Sequence, residues 1–104
     1  MNESPILLHV WSVHPEEETG LVERLGKMIG HVTDDPGFVS ARILASADRT
    51  SVAALIEMTS VEDRQRLEQL PEVRETLDTV RGAYNVVLRL YHEVEAYGKA
   101  VARP

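Results

Sequence analysis

The fold is decided by residues 38–63, FVSARILASADRTSVAALIEMTSVED. Two apolar runs, Phe38 to Ala45 and Ser51 to Met58, are rich in residues that favour strands. The five residues between them are typical of a turn, so the two runs predict an antiparallel hairpin. Ser60, followed by Asp63 three residues later, has the form of a capping box and predicts that a helix begins directly after the hairpin.

Upstream of this hairpin the sequence predicts a strand and then a helix. Ile6 to Val13 is a β-branched and apolar run. Pro15 and three glutamates at 16–18 follow it, which is typical of a helix start because Pro suits the first turn and carboxylates suit the positive end of the helix dipole. An apolar stripe at three- and four-residue steps predicts the helix itself: Leu21, Val22, Leu25, Met28, Ile29 and Val32.

Downstream, a second apolar stripe interrupted by Pro71 predicts two short helices or one kinked helix. Asn85 to Glu93 supplies a fourth strand. The order β-α-β-β-α-β predicts an α+β, ferredoxin-like fold, with four antiparallel strands and the helices on one face. At 104 residues the chain is expected to be a single domain, with a core over 6–97 and a polar tail over 98–104.

Composition excludes several classes of function. The net charge is −6, from 17 acidic and 11 basic residues, which argues against nucleic acid as a partner. No apolar run is long enough to span a membrane, and the N-terminus lacks the basic region of a secretory leader. The chain has no cysteine and therefore no disulfide or thiolate chemistry. These observations predict a cytoplasmic protein with no membrane and no nucleic-acid partner.

The strands are apolar on both faces. Ile6, Leu8 and Val10 alternate with Leu7 and Trp11, so each face of the first strand is apolar. Helices can cover only one face of the sheet, and a large exposed apolar patch is unusual in a monomer. The sequence therefore predicts a homodimer that forms through the second sheet face.

Over residues 6–97 the sequence resembles the antibiotic biosynthesis monooxygenase domain, in the dimeric α/β-barrel superfamily. The resemblance depends on Val10–Glu16 (VWSVHPE), the Asp35–Phe38 turn (DPGF) and Glu57–Asp63 (EMTSVED). It implies a cavity between sheet and helices for a hydrophobic aromatic or polyketide-type small molecule. It also implies oxidation by O₂ without metal or flavin, since the best-known members use no cofactor.

The match to the family's site residues is partial. His9 stands where those oxygenases have an Asn, Ala54 and Met58 stand where they have an Asn and a Trp, and Arg64 stands near their pocket Tyr. The Trp and His of haem-degrading relatives are missing, so haem degradation is not expected.

His9 is the candidate catalytic residue, because a neutral imidazole in an apolar cavity could accept a proton from a phenol or an activated C–H. Trp11 shares its strand face and offers a flat surface for an aromatic ring. The remaining candidate substrate-binding residues are Ala54, Ile56, Met58, Arg64 and His92. No metal site is expected. A non-oxidative cyclase or isomerase, or a non-catalytic small-molecule-binding dimer, fits the same residues. His9 also fits a structural role as a partly buried histidine that is hydrogen-bonded to the backbone or to a neighbour such as Asn85 or Tyr91.

Overall fold

A computed structural model describes residues 4–98, so most of the polar tail expected over 98–104, and the first three residues, lie outside it. The predicted element order is confirmed. The elements are β1 (Ile6–Ser12), a 3-10 turn (Pro15–Glu17), α1 (Glu18–Gly30), β2 (Phe38–Ala45), β3 (Ser51–Met58), α2 (Val61–Glu68), α3 (Pro71–Ala83) and β4 (Asn85–Tyr91). Pro71 is the first residue of α3, where its missing N–H costs no helical bond, so the second helical region is two helices.

The four strands form one antiparallel sheet in the order β2-β3-β1-β4. β1 is therefore central, paired with β3 on one side and β4 on the other. The helices lie on one face, and the hydrophobic core fills the space between them and the sheet, around Trp11, Leu21, Leu25, Val52 and Val80. The expected α+β ferredoxin-like arrangement is confirmed. β4 ends at Tyr91, two residues earlier than predicted.

The two local signals that flank β3 are present, but only half of the predicted capping box forms, because the Asp63 carboxylate accepts bonds from hydroxyls and not from the Ser60 backbone N–H. In the turn between β2 and β3, the Asp48 carboxylate accepts bonds from the hydroxyls of Ser46 and Thr50, both at 2.7 Å. At the start of α2, the Asp63 backbone N–H donates to Ser60 Oγ at 3.0 Å. The Asp63 carboxylate in turn accepts the hydroxyl bonds of Thr59 and Ser60. The turn contacts lie directly before β3, and the Ser60 cap begins α2 at the position that the sequence specifies.

A carboxylate–guanidinium cluster connects the turn before β2 with the start of α2. Arg66 donates two bonds of 2.8 Å to Asp35 and one of 2.8 Å to Asp63. These bonds, and the Gly37 backbone N–H on its carboxylate, lower the pKa of Asp35 to about 2. Gly37 is required here, because a Cβ at this position would lie 2.6 Å from the Asp63 carboxyl carbon.

The face of the sheet opposite the helices is apolar at its centre, with Arg42, Glu57 and Arg89 also on this face. Leu8 pairs across with Leu55, and Val10 lies between Ala53 and Val87. Val87 is 54% exposed, and the other four are partly exposed. A sheet face in water usually carries polar side chains, so this surface has the character of an interface.

Beyond β4, residues 92–98 form neither helix nor strand. Two large side chains of this segment, Val94 and Tyr97, are 81% and 88% exposed. Among residues 4–98, no helix is long and apolar enough to cross a membrane.

Candidate active site

His9 lies in the middle of the central strand, on the face that the helices cover. Its cross-strand neighbours are Ala54 on β3 and Leu88 on β4. The side chain is only 4% exposed and is the one polar residue among the buried core positions of residues 4–98. Because β1 is hydrogen-bonded on both sides, the backbone that carries this imidazole is held rigidly.

His9 and Trp11 form a stacked pair. Their ring centroids are 5.0 Å apart and the ring planes differ by 9°. The Nδ1 atom of His9 and the Nε1 atom of Trp11 are both buried, and neither has a hydrogen-bond partner within the described part of the chain. An unpaired buried polar atom costs about 1–3 kcal/mol, so two such atoms side by side mark a position where stability has not been optimised.

Burial and, to a smaller extent, the positive charge of Arg81 together lower the pKa of His9 to about 4. The imidazole is therefore neutral at physiological pH. A neutral ring with a free nitrogen can accept a proton, and its protonated form becomes favourable once an anion forms next to it.

An apolar cavity of about 40 Å³ lies against His9, between the sheet and the helices. The sheet contributes Leu7, His9, Ile56 and Met58; α1 and the turn after it contribute Met28, Ile29 and Val32; α2 and α3 contribute Leu67, Glu68, Val73 and Leu77. This volume holds about one water molecule, whereas ligand pockets usually have about 300–1,000 Å³. The hollow implied by the family resemblance is present, but it is too small for a polycyclic molecule unless its wall moves.

A second gap, of about 10 Å³, lies on the other side of the stacked rings. It is bordered by His9, Trp11 and Leu88, together with Arg81 of α3. Leu88 is 44% exposed, although it faces the same side of the sheet as His9, because α3 covers the edge strand β4 only in part. The stacked pair is therefore closest to solvent on the β4 side.

Arg64 and Glu68 form an ion pair of 3.1 Å on one face of α2. Glu68 lines the main cavity, and Arg64 is held at its edge by this pair. Arg64 Nε is buried and, among residues 4–98, unpartnered. A polar group of a ligand that reached this edge could take that donor.

The candidate residues from the sequence fall into three groups. His9, Ile56 and Met58 line the main cavity. Trp11 and Ala54 are buried beside His9, Trp11 in the stack and Ala54 as its cross-strand neighbour. His92 is exposed beyond the end of β4, and the structure does not place it in the cavity wall. The partners considered for a purely structural His9 are not close: Asn85 pairs with Ser12, and Tyr91 pairs with Ile6.

Arg81 is the charged residue near the site that the sequence reasoning missed. It is four residues after Leu77 and one after Val80, both of which are buried, so it continues the apolar stripe of α3. A charged residue at the end of an apolar stripe was the available signal. Residues 4–98 contain no cluster of three or more metal-ligating side chains.

Comparisons of the fold find similar solved structures, some of which are named as oxygenases. A variant of SnoaB, a cofactor-independent oxygenase from Streptomyces nogalater, superposes with a TM-score of 0.80 at 16% identity, covering 89% of this chain and 95% of that one. A protein described as a candidate antibiotic biosynthesis monooxygenase from Nitrosomonas europaea gives 0.79 at 17% identity, covering 94% and 97%. Rv0793 from Mycobacterium tuberculosis gives 0.79 at 14% identity, covering 91% and 99%.

Family models and curated protein sequences gave no match to this sequence. The structural likeness, at these identities, establishes the fold: it is the ferredoxin-like fold of antibiotic biosynthesis monooxygenase domains, as the sequence resemblance predicted. A fold of this kind can carry several activities, so the chemistry has to be argued from His9 and its surroundings.

Proposed function

We propose that this protein is a homodimeric, cofactor-independent monooxygenase that acts on a small aromatic or polyketide-type compound in secondary metabolism. The observation that carries the proposal is the buried, neutral His9, which has a free Nδ1 and lies against both an aromatic ring and an apolar cavity. The shared fold with a cofactor-independent oxygenase supports it.

In the proposed reaction, His9 takes a proton from an acidic C–H or O–H of the substrate. Burial disfavours an isolated imidazolium, so the proton transfer is favourable only when the substrate anion forms directly beside it. The anion then reduces O₂ and combines with it to give a hydroperoxide at the same carbon. Loss of water leaves a carbonyl: one CH₂ group and one O₂ become one C=O and one H₂O, and the proton on His9 leaves with that water.

The apolar wall supports this chemistry in two ways. It excludes water, which would stabilise the substrate anion and slow its reaction with O₂. It also contains Met28 and Met58, whose flexible thioether chains can move to accommodate a ring.

The direct test is oxygen uptake with anthrone as the probe substrate. We expect one O₂ consumed per anthrone, an anthraquinone product and no dependence on added metal or flavin. Turnover that continues unchanged without O₂ would instead assign a cyclase or isomerase activity. Saturable binding of anthrone with quenching of Trp11 fluorescence, and no product in air, would assign a binding protein. Either of these two results would reject the oxygenase proposal.

The homodimer is proposed to form through the apolar sheet face of Leu8, Val10, Ala53, Leu55 and Val87. We expect light scattering at micromolar concentration to give twice the chain mass. Val10→Glu places a charge at the centre of this face, where dimerisation would remove it from water at a cost that the nearby Arg89 does not offset, and should produce a monomer. Val61→Glu is the matched control, because Val61 is exposed (41%) on a helix and the new carboxylate lies at a helix start. A wild-type monomer, or a Val10→Glu dimer, would contradict this interface.

A further inference from the structure

We propose that residues 26–32, the second half of α1 and the turn after it, form a gate that unwinds locally to admit small molecules to His9. The need for such a gate rests on the proposed function, since the cavity of about 40 Å³ is too small to hold an aromatic substrate as it stands. The existence of the gate is a property of the fold and can be tested without any substrate.

The gate forms one wall of the cavity, through Met28, Ile29 and Val32. The floor opposite it is β1, which is paired on both sides and cannot withdraw without breaking the sheet. An opening that leaves the sheet intact must therefore come from a helical wall. Two reasons place the opening at α1 and its following turn; within residues 4–98, α3 shares the first of them but has no glycine beside its wall residues Val73 and Leu77.

The first reason is the lack of polar contacts. Within the described range 4–98, no side-chain hydrogen bond or ion pair joins the gate to another helix or strand. The regions on both sides are held: Glu18 at the start of α1 pairs with Arg49 at 3.0 Å, and Asp35 after the gate is bonded twice to Arg66 of α2. The gate is thus a segment attached at both ends and held between them by apolar contacts alone.

The second reason is glycine. Gly26 and Gly30 are exposed, and a Cβ at either would meet no atom within 4 Å. Neither position needs glycine for packing, yet each glycine favours the unwound chain over the helix relative to alanine. Two such residues in the last five of α1 lower the free energy of local unwinding there.

The test uses His9 itself as the reporter. Diethyl pyrocarbonate carbethoxylates neutral imidazoles, so at pH 7 its rate at His9 measures how often the cavity opens, and mass spectrometry assigns the modified residue. The exposed His14 gives the rate for a histidine that needs no opening. We expect His9 to react at least tenfold more slowly than His14, since its side chain is 4% exposed.

Alanine at the gate should keep it closed. We expect Gly26→Ala to slow modification of His9 by roughly two- to fivefold, and Gly26→Ala/Gly30→Ala by roughly the product of two such factors, with His14 unchanged. Gly82→Ala is the matched control: Gly82 is also an exposed helical glycine with no atom near its Cβ, but it lies in α3. It should leave the rate at His9 unchanged.

Three results would overturn the gate. The first is a modification rate at His9 equal to that at His14, and the second is no slowing of that rate in the double variant. The third is equal slowing in Gly82→Ala, because it would mean that His9 reacts only after global unfolding. All three are independent of turnover. If the protein shows the expected modification pattern but consumes no O₂, the gate is retained and the oxygenase proposal is rejected. If it consumes O₂ without that modification pattern, the oxygenase proposal is retained and the gate is rejected.

Discussion

Replacing His9 by alanine should lower the rate of oxygen uptake with anthrone by roughly 10²- to 10⁴-fold, the usual contribution of a positioned general base. The loss should appear in kcat, because the imidazole acts on the proton being transferred and contributes little to binding of the neutral substrate. Steady-state kinetics of O₂ consumption by the two proteins measure the effect.

The same substitution removes a buried ring, so its effect on folding must be separated from its effect on chemistry. His9→Ala leaves a space of imidazole size beside Trp11, and added imidazole should restore part of the rate if His9 is the base. His14→Gln changes an exposed histidine just after β1, outside the gate, and should keep the full rate. Equal rates in wild type and His9→Ala, or a loss that imidazole never restores in a folded variant, would remove His9 from the mechanism.

Acidification should destabilise the protein by about 2.5 kcal/mol between pH 7.5 and pH 4.5, through His9 alone. The pKa of His9 is lowered from 6.5 to about 4 in the folded protein. Between these values the unfolded chain binds a proton that the folded protein does not, so stability is complete above pH 6.5 and falls as the pH drops. The slope should approach about 1.4 kcal/mol per pH unit in the middle of this range.

Urea unfolding, followed by Trp11 fluorescence at constant protein concentration from pH 7.5 to 4.5, measures this dependence. His9→Gln should lose most of it, whereas His31→Gln should keep it. The contribution of Asp35 is lost as the pH falls from the ordinary pKa of its carboxyl, 3.8, to the lowered pKa of about 2, and this range lies below the measured window. An unchanged slope in His9→Gln would show that His9 does not titrate with the proposed low pKa.

The fold could be predicted because its signals are local. The turn at 46–50, the cap at Ser60 and the proline at 71 each act over a few residues, and the structure has an element boundary at each of them. The strand faces follow from alternation, which is why His9 and Trp11 could be placed on one side of β1 before any coordinates.

The site was less predictable because it depends on distances across the fold. Arg81 is separated from His9 by most of the chain, and its effect on the His9 pKa arises only when α3 packs beside β1. The volume of the cavity depends on how fully the side chains from three helices and the sheet fill the interior. The pattern of apolar and polar residues along the sequence does not determine this. His92 was expected near the cavity by strand alternation, but β4 ends before it and the alternation no longer applies.

The position of His9 on the central strand has an evolutionary consequence. The group proposed to do chemistry is carried by the most constrained backbone in the fold, whereas most of the surrounding wall belongs to helices that have no strand pairing to preserve. Mutations in the helices can therefore alter which molecules are accepted while leaving the reactive group in place. Proteins that share this arrangement can therefore diverge rapidly in substrate. Their sequences would then lose detectable similarity long before their fold changes.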